Sequence, residues 1–179
     1  LPLDYSSGVF NRKLNLGLSG AYTYISDKTT VEDYQIGNGG FVPFSYEIAY
    51  QNYQTPAIRD VKPTAGYTVK ANYKHTPLGG DYQSQMYSFQ GNYYLPGLAK
   101  HHSLMLNAKV ELQNPDNYRF ASLVPFAKGY DYIYTDRLAG AGATYELPLA
   151  YPDWALGSLF YLKRLRGAFF GDFNVGKTS

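Results

Sequence analysis

The sequence contains no cysteine, which excludes a disulfide staple and a thiolate metal site and leaves the compartment open on redox grounds. It has no apolar run of the ~18 residues that a membrane-crossing helix needs, so helical spans are excluded. Mean hydropathy is −0.35. Charge is scarce: Asp, Glu, Lys and Arg make up 17% of the 179 residues, against roughly 25% in ordinary soluble domains. A net charge of +2 and a pI near 8.6, with one small basic cluster at Lys163, Arg164 and Arg166, exclude the electrostatic profile of a nucleic-acid binder. The sequence starts at Leu1 without an initiator Met, a basic n-region or an apolar h-region, and is read as a mature or partial chain. No segment carries a helical period.

What the sequence has is aromatic residues and alternation. Tyr contributes 20 residues and Phe 10, against a single Trp. From Lys13 to Tyr24, one face reads Leu14, Leu16, Leu18, Gly20, Tyr22, Tyr24 and the other Lys13, Asn15, Gly17, Ser19, Ala21, Thr23. That is a strand with one apolar and one polar face. The pattern returns over Phe44–Tyr50, Ala65–Lys74, Tyr82–Tyr94, His102–Leu112 and Arg137–Leu149. A last candidate runs from Leu156 to about Phe173 and is apolar on both faces in its first half. About seven strands are predicted, most of them near twice the usual ~5–6 residues.

The connections are unequal. Long polar ones occupy Ser26–Gly40 and Gln113–Asp136; shorter ones occupy His75–Asp81, Leu95–His101 and Ala150–Leu156, with Gln54–Pro63 intermediate. In an up-and-down order both long loops emerge at one end and the Leu95–His101 and Ala150–Leu156 turns at the other, the asymmetry of outer-membrane barrels. A soluble barrel buries its apolar face and wets the other; a membrane barrel inverts this. Strand length, Tyr gathered toward strand ends (Tyr22, Tyr24, Tyr67, Tyr73, Tyr87, Tyr93), and polar faces rich in Ser, Thr, Asn, Gln and Gly favour the inverted arrangement. The expectation is therefore an all-β fold, an antiparallel up-and-down transmembrane β-barrel spanning residues 1–179 without a second domain. An odd strand count, and an end at Gly176, Lys177, Thr178, Ser179 without a terminal aromatic strand, imply that the chain is part of a larger barrel.

The run KGYDYIYTDRLAGAGATYELPLAYPDWALGSLFYLKRLRGAFFGDF resembles the barrel of the bacterial surface-antigen superfamily, the outer-membrane assembly and transport proteins, especially relatives in which a periplasmic β-propeller precedes the barrel. That family shows an Arg-Gly-Phe/Tyr motif on a long loop, a strand ending near a Phe-Pro-Leu-like triplet, and a further strand with Phe-x-Asp-x-Gly. Here Lys128-Gly129-Tyr130, Glu146-Leu147-Pro148-Leu149 and Phe170-Gly171-Asp172-Phe173-Asn174 stand at those places, with Lys128 for Arg and Asn174 for Gly. The resemblance implies a loop folded into the lumen, with Lys128 as its cation and Asp172 as the anion on the wall. Arg164 would share the face of Asp172 if no bulge intervenes at Gly167. Lys128, Gly129, Tyr130, Arg164 and Asp172 are the expected lumen-loop lock. About three further strands are implied after this chain, and others before it.

Other motifs carry less. Gly171 to Thr178 matches the phosphate-loop pattern, but no helix pattern follows it and no strand–helix alternation precedes it. Gly17-Leu18-Ser19-Gly20-Ala21 approaches a nucleophile elbow, yet has Ala21 at the second Gly position and lies within a strand pattern. Adjacent His101 and His102 would point to opposite faces, with His75 remote. Glu47, Lys70, Lys74, Lys109 and Glu111 read as wall or pore-lining charges, and Tyr130, Tyr132 and Tyr134 as loop packing. No catalytic residue, cofactor or metal ligand is expected, and neither a nucleotide nor a nucleic-acid partner. The expected role is a non-enzymatic anchor or scaffold of an outer-membrane assembly, with insertion or translocation activity as an extension. Its partners would be outer-membrane lipid and other envelope proteins or further segments of the barrel. A passive porin-like channel and a soluble ligand-binding barrel are the alternatives.

Overall fold

The period-two segments become strands, and their order in the sheet follows the chain. In the computed structural model the chain is described over residues 1–26, 29–31, 34–36, 38–129, 135–157 and 160–178. The elements begin with β1 (Pro2–Asp4) and β2 (Phe10–Gly20), followed by four short strands, β3 (Thr23–Ile25), β4 (Thr29–Val31), β5 (Tyr34–Ile36) and β6 (Gly39–Phe41). Five long strands come next: β7 (Phe44–Gln54), β8 (Gly66–His75), β9 (Ser84–Pro96), β10 (Ser103–Pro115) and β11 (Arg137–Ala150). A short pair, β12 (Trp154–Leu156) and β13 (Phe160–Leu162), precedes β14 (Leu165–Lys177). No helix occurs among the described residues.

One 8-stranded sheet carries the fold, in the order β1-β2-β7-β8-β9-β10-β11-β14, antiparallel at every step. It is an open up-and-down meander whose edges are β1 and β14; the sheet does not close on itself as a barrel. Because directions alternate, residues 21–43, 76–83 and 116–136 connect strands at one end, and 55–65, 97–102 and 151–164 at the other. Both long polar connections thus share an end, as the loop pattern predicts. We call it the long-loop end.

Most strand ends shift by a few residues from the sequence reading, and two of the differences change the pairing. The first long strand is Phe10–Gly20 and does not run on to Tyr24, because its partner β7 begins just after Pro43, which has no N–H to extend the ladder. Thr23–Ile25 pairs separately with Gly39–Phe41. At the other end, the predicted strand from Leu156 to Phe173 is divided. Trp154–Leu156 and Phe160–Leu162 pair with each other as β12 and β13, and Gly157 after β12 has a φ of +58° that suits glycine. Ala150–Leu156 is therefore not a tight turn, and the sheet strand starts only at Leu165.

The distribution of apolar residues over the two faces is the informative property of the sheet. Registers place Leu16, Ile48, Ala71, Phe89, Val110, Ala139 and Val175 side by side across the seven long strands. The next row along is Leu14, Tyr50, Val69, Gly91, Ala108, Ala141 and Phe173. This apolar face is the exposed one: Leu18 is 71% exposed, Ile48 54%, Phe169 72% and Phe173 68%. The opposite face carries Glu47, Asn72, Ser88, Lys109, Glu111, Gln113, Thr144 and Glu146, and there Ser88 is 5% exposed and Glu111 3%. Leu14, Leu16, Leu18, Leu104 and Leu106 converge on no interior. A small apolar core exists, but it lies on the polar side, where Phe41, Tyr82, Met86, Phe120, Val124, Ala127 and Leu138 are buried beneath the long-loop end.

Candidate functional site

The polar face is a built site because loops from both ends fold across it. On β10 the pleat turns Ser103, Met105, Asn107, Lys109, Glu111 and Gln113 to this face. The chain leaving β10 doubles back over them. Glu111 Oε2 accepts from Ser122 Oγ–H at 3.0 Å and from the Leu123 N–H at 2.8 Å. Lys109 Nζ donates to the Pro125 carbonyl at 2.7 Å, Gln90 Nε2 to the Leu123 carbonyl at 2.8 Å, and Gln113 Nε2 to the Phe120 carbonyl at 3.1 Å. Wall side chains from β9 and β10 thereby satisfy a loop backbone that water would otherwise serve.

An aromatic cluster completes the hold. Phe41 packs on Tyr82 with ring centroids 5.5 Å apart and on Tyr118 at 4.6 Å; Tyr118 meets Phe120 at 5.3 Å. Burial pushes the Tyr118 hydroxyl above its ordinary pKa. Asn117 Nδ2 donates to the Asp81 carbonyl at 2.5 Å and Asn117 Oδ1 accepts from the Gln83 N–H at 2.6 Å, tying this loop to the β8–β9 connection. The same loop borders a cavity with Ser19 and Gly20 of β2 through Tyr118 and Phe120, and reaches Phe170 of β14 through Lys128. One loop thus reaches from β2 to β14 across the polar face of the sheet.

At the opposite end the β7–β8 connection forms a strap. Lys62 pairs with Glu146 of β11 at 2.6 Å, Ser103 Oγ donates to the Pro63 carbonyl at 2.8 Å, and the Tyr151 hydroxyl donates to the Arg59 carbonyl at 2.7 Å. Asp60 Oδ1 lies 2.7 Å from His101 Nδ1. Burial pushes the Asp60 carboxyl up, but hydrogen bonds from His101 and the Ala57 N–H outweigh it and hold the group below its ordinary pKa. His101 and His102 part company: His101 (φ +66°) turns to Asp60, and His102 Nδ1 meets the Tyr145 hydroxyl at 2.7 Å.

Between loop and strap, polar space remains. A cavity of about 230 Å³ is bordered by Asn92, Asn107, Lys109, Lys128, Thr144 and Asp172, among others. A second of about 240 Å³, bordered by Gln51, Thr68 and Lys70, shares Gln90 and Asn92 with it. Lys70 pairs with Glu47 at 2.9 Å on this wall. Small residues on β11 give the wall charges their room. A Cβ on Gly142 would stand 2.3 Å from Asp172 Oδ1, and one on Gly140 2.1 Å from Asn174 Oδ1.

The predicted lock residues are partly brought together. Lys128 and Asp172 border the same cavity, but they form no ion pair; the Lys128 ammonium sits 4.0 Å from the Phe170 ring centroid instead. Gly129, at φ +85°, takes a left-handed turn that glycine tolerates without strain. Tyr130, like Tyr132 and Tyr134, lies outside the described residues. Arg164 is far from this group: it precedes β14, and its Nη1 donates to the Asp60 carbonyl of the strap at 3.1 Å. Arg164 is expected on the face of Asp172 if no bulge intervenes at Gly167; Gly167 stays in register with Leu147, but β14 begins at Leu165 and Arg164 lies outside the ladder.

Glu111 and Lys109 as loop anchors, and Lys62, Asp60 and His101 as strap residues, were not foreseen. Lys109 and Glu111 meet loop backbone groups, which carry no residue-type signal, and Lys62, Asp60 and His101 pair with side chains distant in the sequence. The phosphate-loop pattern falls within β14, where Gly171 to Lys177 are in ladder register with Ala143 to Arg137, so the chain is extended there and cradles nothing. Among the described residues no three His, Cys, Asp or Glu side chains are grouped to hold a metal. No protein-family model, curated protein or solved structure matches this chain.

Proposed function

We propose that this chain is a segment of a transmembrane β-barrel of a gram-negative outer membrane, occluded by its own 116–129 loop, and that it serves as a non-enzymatic anchor or scaffold in an envelope assembly. The observation that carries the reading is the inversion of the sheet, with apolar side chains outward and exposed while polar and charged ones on β8–β11 turn inward and include Asn72, Ser88, Lys109, Glu111 and Glu146 as buried groups. Water-facing monomers rarely expose contiguous apolar patches beyond roughly 300–600 Å². Here two complete rows across seven strands are apolar, or Gly and Tyr. Lipid accepts such a face.

Strand length and the open edges agree with this reading. β8 has 10 residues and β11 has 14, and crossing the hydrocarbon at a tilt near 45° takes about 9–11. Among the described residues, β14 leaves a 13-residue edge without a strand partner. Such an edge is untenable in hydrocarbon, where backbone groups find no water, so further strands must cover it in the membrane-embedded state. This supports a larger barrel. The likeness of the Lys128, Glu146–Leu149 and Phe170–Asn174 segments to the surface-antigen superfamily adds protein insertion or translocation to the proposal. A loop and a strap lying across the polar face favour an occluded barrel over a passive channel.

The test is double. Ala141→Arg, on the outward face in mid-strand, is expected to cost about 2–4 kcal/mol in bilayer-supported unfolding; a near-neutral effect, or folded monodisperse protein in detergent-free buffer, overturns the membrane reading. In planar bilayers the complete protein is expected to give little steady conductance. A large, steady open current would favour the porin-like alternative.

A further inference from the structure

In the seven long strands, the outward face carries no carboxylate at all. Its only Lys or Arg residues are Arg12, near the end opposite the long loops, and Arg137 and Lys177 at the long-loop end. Arg137 is the first residue of β11 and Lys177 the last of β14, and the register sets them directly opposite each other. Both are exposed, and neither forms an ion pair with a described residue. The neighbouring Asp136 turns inward, buried, and is engaged by Arg119. Like charges directly opposite on antiparallel strands repel. A chain with so few charges places two cations here, and no described carboxylate pairs with either.

Their surroundings change character stepwise along the strands. Toward the membrane side, Val110, Ala139, Val175 and Phe173 make an exposed apolar wall. Toward the rim, Asn114 and Gln85 face each other across β10 and β9, both exposed and uncharged. Apolar wall, paired cations and free amides, in that order, match acyl chains, a phosphate and sugar hydroxyls.

Resting on the outer-membrane reading, we propose that Arg137 and Lys177 form a binding site for the phosphomonoester of an outer-leaflet glycolipid, with its chains along Val175 and Phe173 and its sugar beside Asn114. The arginine supplies a planar fork for two phosphate oxygens and the lysine a point charge. Bound phosphate also relieves the repulsion between the two cations.

Native mass spectrometry of the full protein released from micelles tests this, with bisphosphorylated lipid A as the probe. One lipid A per protein is expected, with the dephosphorylated glycolipid and phosphatidylglycerol bound at least tenfold more weakly. The Arg137→Gln/Lys177→Gln double variant is expected to bind roughly thirtyfold more weakly, from about fivefold for each cation near an anionic membrane surface. Arg12→Gln, at the other end, is expected to leave binding unchanged. Equal binding of the dephosphorylated glycolipid or of phosphatidylglycerol by the wild type overturns the proposal, whether or not the double variant folds. So does unchanged binding by a folded double variant. Failure of the membrane reading registers separately, as wild-type protein that stays folded in buffer without detergent.

Discussion

The buried carboxylate of Glu111 offers the sharpest test of how the polar face is occluded. It is 3% exposed and accepts two hydrogen bonds from the loop, from Ser122 Oγ–H and the Leu123 N–H. Hydrogen bonds to a charged group contribute about 1.5–3 kcal/mol each, and an amide left facing a gap costs about 1–3 kcal/mol. These overlap, and a carboxylate released by loop opening regains hydration, which offsets part of the gain. Glu111→Ala should therefore make loop opening easier by roughly 2–3 kcal/mol, which at 1.4 kcal/mol per tenfold is 30- to 150-fold.

Hydrogen exchange at the Leu123 amide, in micelles, reads that opening directly. Glu111→Gln keeps an acceptor for Leu123 and loses only the charge, so an acceleration of about fivefold is expected, for a loss of about 1 kcal/mol. Amides inside β11 should be unaffected in both variants. If Leu123 exchange in Glu111→Ala stays within about threefold of wild type, the carboxylate is not the anchor, and the aromatic cluster alone holds the loop.

Three further outcomes follow from single contacts. Phe170→Leu removes the ring under the Lys128 ammonium, worth about 0.5–2 kcal/mol, and should raise protease cleavage around residue 128 more than Asp172→Asn does; the reverse order would restore the Lys128–Asp172 lock. Asp60 has a depressed pKa when folded, so its contribution to the strap is complete above the unfolded carboxyl value of about 3.9 and is lost as pH falls through the lower folded value. Exchange over residues 57–63, corrected for intrinsic rates, should rise in that acid range in wild type and show no such step in Asp60→Asn. Gly142→Val would drive a side chain into Asp172 and Asn107 and should lower thermal stability by about 1–3 kcal/mol, whereas Gly171→Ala, on the outward face with open space around it, should be tolerated.

The strands were legible because their signal is local. Alternation of Leu14, Leu16 and Leu18 with Asn15, Gly17 and Ser19 fixes which side chains share a face, whatever the partner strand is. Their exposure in an inverted sheet was legible too, since long strands and Tyr-rich ends fit no dry interior. What was not legible depends on partners distant in the chain. Ala150–Leu156 reads as a turn and Leu156–Phe173 as one strand, yet Trp154–Leu156 and Phe160–Leu162 are strands paired with each other and not with the sheet. Lys128 and Asp172 are expected as a facing cation and anion; both border one cavity without pairing, and the ring that meets Lys128 belongs to Phe170, which the family motif marks without giving it that contact. Lys109 and Glu111 stood out as wall charges, but their partners, the Pro125 carbonyl, the Leu123 amide and the Ser122 hydroxyl, are groups that almost any loop could offer.

The inversion also explains why the two closures of the polar face are built of different materials. A sheet that keeps its apolar side outward lends an interior only a few side chains such as Met86 and Leu138, so most apolar burial inside comes from loops. The long-loop end has enough chain to bring Phe41, Tyr82, Met86, Phe120 and Val124 together, and burying each of the larger side chains contributes roughly 1.5–3 kcal/mol. The strap buries only Val61 and relies on Lys62–Glu146, Asp60–His101 and three bonds to its carbonyls. Lys62 is 35% exposed, and part-exposed pairs contribute about 0–1 kcal/mol and are screened by salt. At 1 M salt the Debye length falls to about 3 Å, while apolar packing is not weakened. Raising NaCl from 0.1 to 1 M should therefore speed amide exchange around Val61 severalfold and leave Leu123 unchanged. Equal responses at the two ends would mean that the strap is held by its neutral hydrogen bonds and not by its charges.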